Sequence, residues 1–234
     1  GIQVDLIGAV HIGDKAYFSA LNERFRDYDV LLFELVTASP ALAESQEPRS
    51  GGLLTSLQVG LKNALGLSFQ LEEIDYAAPN FVHADLSPEQ LLASMKDRGE
   101  SPYVYFWRLF YFAIDEYARD PLGLNDWQIA SQLMANPEDD ALKITLALEM
   151  VRATKRGDFL GNEQGSALIE ARNARAITVL REQLDQGAER VGIFYGAAHM
   201  VDFDKRLIEE LGMQRAGVEW EDAWLFQYGG ATSE

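Results

Sequence analysis

Two histidines follow glycines in segments of the same form near opposite ends of the chain. The segments are Gly8-Ala9-Val10-His11 and Gly196-Ala197-Ala198-His199, and each closes an apolar run, 4–7 and 191–195. The chain has only 3 histidines. Open sheets place ligand chemistry at the carboxyl ends of their strands, and glycine lets the backbone turn there and pass close to a bound group. The pattern therefore predicts that two distant loops meet at one rim of a sheet.

A glutamate and an arginine add to this pattern. Glu34 lies in an otherwise apolar run between Phe33 and Leu35. A buried carboxylate is costly unless it is paired, metal-bound or protonated, so a functional role is favoured over a frayed strand end where Glu34 meets solvent. Arg172 lies on a helix whose inner stripe is polar at its N-terminal end, as when that end borders a site. A solvated salt bridge is the alternative for Arg172.

These residue types suit metal-assisted hydrolysis. Neutral imidazoles and a carboxylate hold a divalent cation and leave positions open for water and substrate. The cation lowers the pKa of bound water and polarises a carbonyl. We expect His11 and His199 as ligands, Glu34 as a ligand or the general base, and Arg172 as an oxyanion or substrate clamp. His83, which also follows a short apolar stretch, is either a third nitrogen ligand or a satisfied core histidine.

Two alternatives remain open. Without metal, a histidine acts as general base and a glutamate orients it, as in an esterase-like hydrolase. The third alternative is a non-enzymatic protein that binds a peptide or haem in an aromatic pocket. The chain contains no HExxH, GxSxG, P-loop or GxGxxG motif, which removes support for the common zinc proteases, serine hydrolases and nucleotide-binding folds.

The composition of the chain limits the kinds of partner and chemistry that we expect. The 20 Lys+Arg against 37 Asp+Glu give a net charge of −17, which repels phosphate backbones and excludes nucleic acid as an expected partner. There are no cysteines, so thiolate nucleophiles and Cys-ligated zinc are absent. No apolar run approaches the ~20 residues of a membrane span. The start at Gly1, directly before a strand, favours a processed product and an extracytoplasmic, periplasmic location.

The first part of the chain predicts a strand–helix–strand unit. A buried strand covers 2–10, Asp14 is the N-cap of a helix that reaches about Arg26, and a second buried strand covers 29–36. Such a unit implies a parallel pair of strands with a right-handed crossover. Because both strands are largely apolar, helices are expected on both faces. The predicted fold class is α/β, three-layer, with a mostly parallel central sheet.

The remaining elements follow from hydrophobic periodicity and turn residues. Helices are predicted over Leu53–Leu67, from Ser87 onward with a capping box, over Asp158–Leu184 and over Val201–Leu211. Extended segments are predicted over Ile74–His83, Arg190–Tyr195 and Gly217–Tyr228, and a polar loop over 37–51. The aromatic-rich stretch 101–153 predicts a helical insertion without linker composition at its ends, so residues 1–234 form one domain.

Four segments of the chain together resemble the TraB/PrgY/Tiki family. They are Gly8–Asp14, the strand that carries Glu34, Arg172-Asn173 and Tyr195–Met200. This family is related to erythromycin esterase-like and ChaN-like proteins. The resemblance covers both ends of the chain but not 101–153. It implies an α/β fold in which the paired motifs meet at one site.

The family's activities are peptide-directed. Tiki proteins are proteases that use manganese or cobalt rather than zinc, PrgY and TraB act on peptide pheromone signalling, and ChaN-like relatives bind haem. The family pattern has an acidic residue directly before the arginine, whereas this chain has Ala171 there and Glu170 one position earlier. The resemblance favours a metal-dependent hydrolase, first of all a peptidase, that acts on a peptide or small molecule.

Overall fold

A computed structural model describes residues 1–36, 67–99, 143–144 and 167–226. Its strands, in chain order, are β1 (Gln3–Ala9), β2 (Ile12–Gly13), β3 (Val30–Phe33), β4 (Ser68–Phe69), β5 (Phe81–His83) and β6 (Arg190–Gly196). Four of them form a parallel sheet of order β1-β6-β3-β5, and β2 pairs with β4 in a short antiparallel ribbon. The predicted α/β class and mostly parallel sheet are confirmed.

Five α-helices accompany these strands in the described part of the chain. They are α1 (Lys15–Phe25), α2 (Gln70–Glu73), α3 (Pro88–Asp97), α4 (Arg172–Asp185) and α5 (Met200–Leu211). A π-helical turn over Ala167–Ala171 leads into α4, and a 3₁₀ turn over Ala197–His199 leads into α5.

The register of β1 and β6 explains how the two ends of the chain meet. The strands are parallel neighbours, with Gly8 opposite Tyr195 and Ala9 opposite Gly196. Both glycine–histidine segments therefore leave the sheet at the same edge, one strand apart. On its other side, β6 pairs with β3, where Phe33 lies opposite Phe194, so Glu34 leaves the sheet at the same level.

Buried side chains along β3 and β6 alternate between two apolar clusters, because successive residues of a strand point to opposite faces. One cluster joins Leu31, Phe33 and Phe194 to the buried stripe of α1. The other joins Leu32, Val191, Ile193 and Tyr195 to α4 and α5. Burial of these apolar side chains holds the strand ends of the sheet in fixed relative positions.

Two predicted helix starts hold in detail. Ser87 is the N-cap of α3 with a complete capping box, its hydroxyl accepting from Gln90 N and its own N–H donating to the Gln90 side chain. Asp14 occupies the N-cap position of α1, but its side chain makes no capping bond. It instead accepts from Lys143 and from the backbone of Leu225.

The extended segment predicted over Ile74–His83 is wrong except at its end. Only Phe81–His83 is a strand, and it follows a turn region. Asp75 begins this region and accepts from the N–H of Ala77. The amide of Asn80 donates to the carbonyls of Phe25 and Tyr28. Local polar bonds thus satisfy the backbone without a ladder.

The strands predicted over Gly217–Tyr228 are also wrong over 217–226, where the structure contains none. Side chains hold this segment instead. Arg24 lies 2.9 Å from Glu219, and the indole N–H of Trp224 donates to the carbonyl of Ile12. Residues 227–228 lie outside the described residues.

Several further predictions fall wholly or largely outside the described residues. They are the loop over 37–51, the helix over 53–66, the insertion over 101–153 apart from 143–144, and the start of the long helix over 158–166. The end of that helix agrees with the prediction, as do β6 and α5. Among the described residues, no helix is both long and apolar enough to span a bilayer.

Candidate functional site

Three of the predicted site residues converge on Gly196. A Cβ atom added to this glycine would lie 3.4 Å from Glu34 Oε2, 3.8 Å from His11 Nε2 and 4.0 Å from His199 Cδ2. His199 Nε2 is 3.7 Å from Glu34 Oε1. The absence of a side chain at Gly196 leaves room between the two imidazoles and the carboxylate. The predicted meeting of the two histidine loops at one edge of the sheet is therefore present in the structure.

His199 is buried, and its ring is oriented by Asn173. The amide nitrogen of Asn173 donates to the carbonyl of His199 and to Asp202 Oδ2, so its oxygen faces the ring, 2.6 Å from His199 Nδ1. An amide oxygen only accepts, so Nδ1 carries the proton. The lone pair of the other nitrogen, Nε2, therefore faces Arg172 Nη1 at 3.5 Å and lies 3.7 Å from Glu34 Oε1. Burial lowers the pKa of His199 although the nearby carboxylate of Glu34 opposes this shift. The lowered pKa favours the neutral ring.

His11 has the same arrangement with a different amide. Gln70 Nε2 donates to the hydroxyl of Tyr76, and Gln70 Oε1 lies 3.2 Å from His11 Nδ1. The proton of His11 is thus on Nδ1, and Nε2, the nitrogen that lies near Gly196, has its lone pair free. Burial raises the pKa of Tyr76 to about 12, so its hydroxyl stays protonated at neutral pH. His11 is exposed, so solvent reaches the site on this side.

Glu34 is an ionised, firmly held carboxylate. Its Oε1 accepts from Arg172 Nη2 at 2.6 Å, and its Oε2 accepts from the backbone N–H of Gly196 at 2.7 Å. Burial by itself raises the pKa of Glu34, but the charge of Arg172 and the Gly196 bond outweigh it, and the pKa lies below its ordinary value. A carboxylate in this state is a good ligand or electrostatic partner and a weak general base.

Arg172 is held between two carboxylates. Asp85 accepts from both Nε (2.9 Å) and Nη2 (2.5 Å), while Nη2 also donates to Glu34. Burial opposes the charge on Arg172, but Asp85 and Glu34 raise its pKa above the ordinary value. The remaining group, Nη1, lies 3.5 Å from His199 Nε2. Nη1 is thus the part of the guanidinium that faces His199.

His83 forms its side-chain hydrogen bond outside this cluster. Its Nε2 donates to the carbonyl of Leu35 at 2.6 Å, which ties β5 to the segment after β3, and its ring packs edge-on against Phe33. A donating Nε2 leaves only Nδ1 as a possible ligand. A role for His83 as third ligand stays a prediction.

Glu170, the acidic residue two positions before Arg172, pairs with a different arginine. Glu170 lies in the π-helical turn before α4, and its carboxylate accepts from Arg98 at the end of α3, at 2.7 Å. The carboxylate that lies against Arg172 comes from Asp85 instead. Single π-helical turns recur at functional sites, and this one directly precedes the arginine of the cluster.

Sequence reasoning missed the roles of Asp85, Gln70 and Asn173. Asp85 has a sequence signal, because it follows by two residues the apolar stretch that ends at His83. The structure buries its side chain fully. Asn173 has a weaker one as the direct neighbour of Arg172. Gln70 has none, since its contact with His11 depends on the pairing of β2 with β4.

Within the described ranges, no three His, Asp or Glu side chains lie close enough together to form a ready metal site. The donor set around Gly196 nevertheless has suitable chemistry, with two imidazoles and one ionised carboxylate. No protein-family model, curated protein or solved structure matches this chain.

Proposed function

We propose that this protein is a metal-dependent hydrolase, first of all a peptidase, in which His11 and His199 bind a divalent cation beside Glu34. The observation that carries the proposal is the matched orientation of the two rings, each of which donates Nδ1–H to a side-chain amide. Metal-binding histidines require such a partner to fix the ring and free the other nitrogen.

The roles of the residues follow from their contacts. A bound cation would supply a water of lowered pKa and polarise the scissile carbonyl. Glu34 is suited to be a ligand rather than the base, because its low pKa makes it a poor proton acceptor. Arg172 is suited to orient Glu34 through Nη2 and to offer Nη1 to a developing oxyanion. We expect manganese or cobalt rather than zinc, as the resemblance to the TraB/PrgY/Tiki family implies.

A metal-free hydrolase is the second candidate, and one observation favours it. Arg172 Nη1 lies 3.5 Å from His199 Nε2, on the side where a cation would bind. A guanidinium there holds the imidazole neutral, as a general base must be near pH 7. In this alternative His199 takes a proton from water directly and Arg172 stabilises the oxyanion.

Metal analysis with single-histidine variants tests the first proposal. After incubation with Mn, Co or Zn and removal of free metal, wild type should retain one of the ions. His11→Ala and His199→Ala should lose it. His83→Ala tests the third-ligand prediction separately, because Leu35 leaves Nδ1 of His83 unused: a loss of metal would add His83 to the ligands, and unchanged metal content would remove it. Equal metal content in wild type and in both site variants would reject the ligand assignment.

Chelation separates the two candidates. Peptide-library hydrolysis that stops after exhaustive treatment with EDTA and returns with Mn or Co supports the metal-dependent enzyme. Hydrolysis that survives the treatment supports the metal-free one.

We further propose that the described sheet and helices belong to a three-layer domain that covers 1–234, with a helical insertion at about 101–153.

A further inference from the structure

The loop after His11 is held by a segment from the other end of the chain. The indole N–H of Trp224 donates to the carbonyl of Ile12 at 2.7 Å, and the N–H of Asp14 donates to the carbonyl of Ala223 at 2.9 Å. The N–H of Leu225 donates to Asp14 Oδ2. Three successive residues of the segment thus bind two of the three residues that follow His11, Ile12 and Asp14.

A buried lysine completes this contact. Lys143 is 6% exposed, and its ammonium donates to both oxygens of Asp14, at 2.8 and 3.0 Å, and to the carbonyl of Leu225 at 2.7 Å. Every proton of the ammonium thus has an acceptor, as a buried cation requires. Lys143 therefore connects the His11 loop and the C-terminal segment through one charge. We call Lys143 together with Ala223–Leu225 the clasp.

Asp14 gives up its local role for this contact. At the N-cap of α1 an aspartate ordinarily accepts from the first amides of the helix, yet Asp14 makes no such bond. Its neighbour Gly13 is tightly packed, since an added Cβ would lie 3.1 Å from the carbonyl oxygen of Ala223. The local sequence is thus fitted to the clasp rather than to the helix.

His11 depends on such bonds because burial does not hold it. His199 is buried, whereas His11 is exposed. On one side Gln70 binds the carbonyl of His11 through its N–H at 2.9 Å and the ring through its side chain. On the same side Ile12 and Gly13 pair with β4, and on the other side the clasp binds Ile12 and Asp14. We propose that the clasp positions His11, so that Lys143 and Trp224 are positioning residues for this histidine.

Histidine-labelled NMR spectra test this proposal, since 3 histidines give a simple spectrum. Lys143→Met removes the central charge, and Trp224→Phe removes the indole N–H but keeps an aromatic ring. In both variants the His11 ring signal should shift by more than its linewidth, while the signals of His83 and His199 stay in place. Lys15→Met is the matched control, because Lys15 adjoins Asp14 but is 75% exposed, and it should leave all signals unchanged.

Two results would overturn the proposal: a His11 signal that stays at its wild-type position, or signals of all three histidines that shift together in the folded variants. If Lys143→Met fails to fold, the milder Trp224→Phe decides by the same criterion. The importance of the clasp for catalysis rests on the proposed function. The ring measurement needs neither metal nor substrate, so a failed metal assay and a failed clasp are told apart.

Discussion

Replacement of Gly196 by alanine should disturb the candidate site without destabilising the fold. The backbone of Gly196 has φ −56° and ψ 143°, which alanine adopts without strain. The added methyl would be 3.4 Å from its nearest neighbour, Glu34 Oε2, an ordinary van der Waals separation. A glycine-to-alanine change at a permitted position alters the free energy of unfolding by about 1 kcal/mol or less. We therefore expect Gly196→Ala to fold with near wild-type stability.

The same methyl group should strongly reduce metal binding and hydrolysis. It would occupy the space between His11 Nε2 and the Glu34 carboxylate, 3.8 and 3.4 Å from them, where a cation or a reacting carbonyl must fit. Displacement of reacting groups by about 1 Å costs about 100-fold in rate, so we expect a loss of metal affinity or hydrolysis of about 100-fold or more.

The assay pairs urea unfolding with metal titration and peptide hydrolysis. Gly217→Ala is the matched control, because an added Cβ there has nothing within 4 Å, and it should change neither property. A Gly196→Ala protein that keeps full metal affinity and activity would refute the placement of the site at Gly196. A protein that unfolds would refute the claim that the methyl is sterically tolerated.

Three further predictions concern stability. Gly8→Ala should lower the free energy of unfolding in urea by about 1–3 kcal/mol, because its Cβ would lie 2.9 Å from Met200 Cγ; an unchanged value would contradict this packing. Asp85→Asn should cost about 2–3 kcal/mol in the same experiment, since it removes the fully buried negative charge that pairs with Arg172 while Glu34 remains, and a loss under about 1 kcal/mol would contradict that pairing. Because burial holds the pKa of His199 below its ordinary 6.5, the unfolded chain takes up a proton first as the pH falls below 6.5, and wild type should lose stability there. His199→Gln should lack this part of the loss in a pH series from about 8 to about 5, and identical slopes would contradict the shift.

The sheet and the meeting of the histidines were predictable because they depend on local patterns. Apolar runs marked β1, β3 and β6, and the helix between β1 and β3 predicted that these two strands are parallel. The insertion of β6 between them had no local signal. Once β1 and β6 are neighbours, the glycine–histidine segments lie one strand apart. The buried charge of Glu34 was visible because it interrupts an apolar run.

The partners of these residues were not predictable in the same way. Gln70 reaches His11 through the two-residue ribbon of β2 and β4, which is too short to leave a periodic signal. The turn before β5 and the segment 217–226 were misread as strands because their apolar residues are anchored by side chains such as Asn80 and Trp224. Such contacts depend on tertiary distance rather than on spacing along the chain.

A crystal structure grown with Mn or Co, with its anomalous difference map, tests the central claim most directly. We predict one strong peak beside Gly196, at about 2.0–2.3 Å from the Nε2 atoms of both His11 and His199, with the Glu34 carboxylate next to it. An experimental structure in which the two rings lie far apart, or in which the metal binds elsewhere and leaves both Nε2 atoms free, would contradict it.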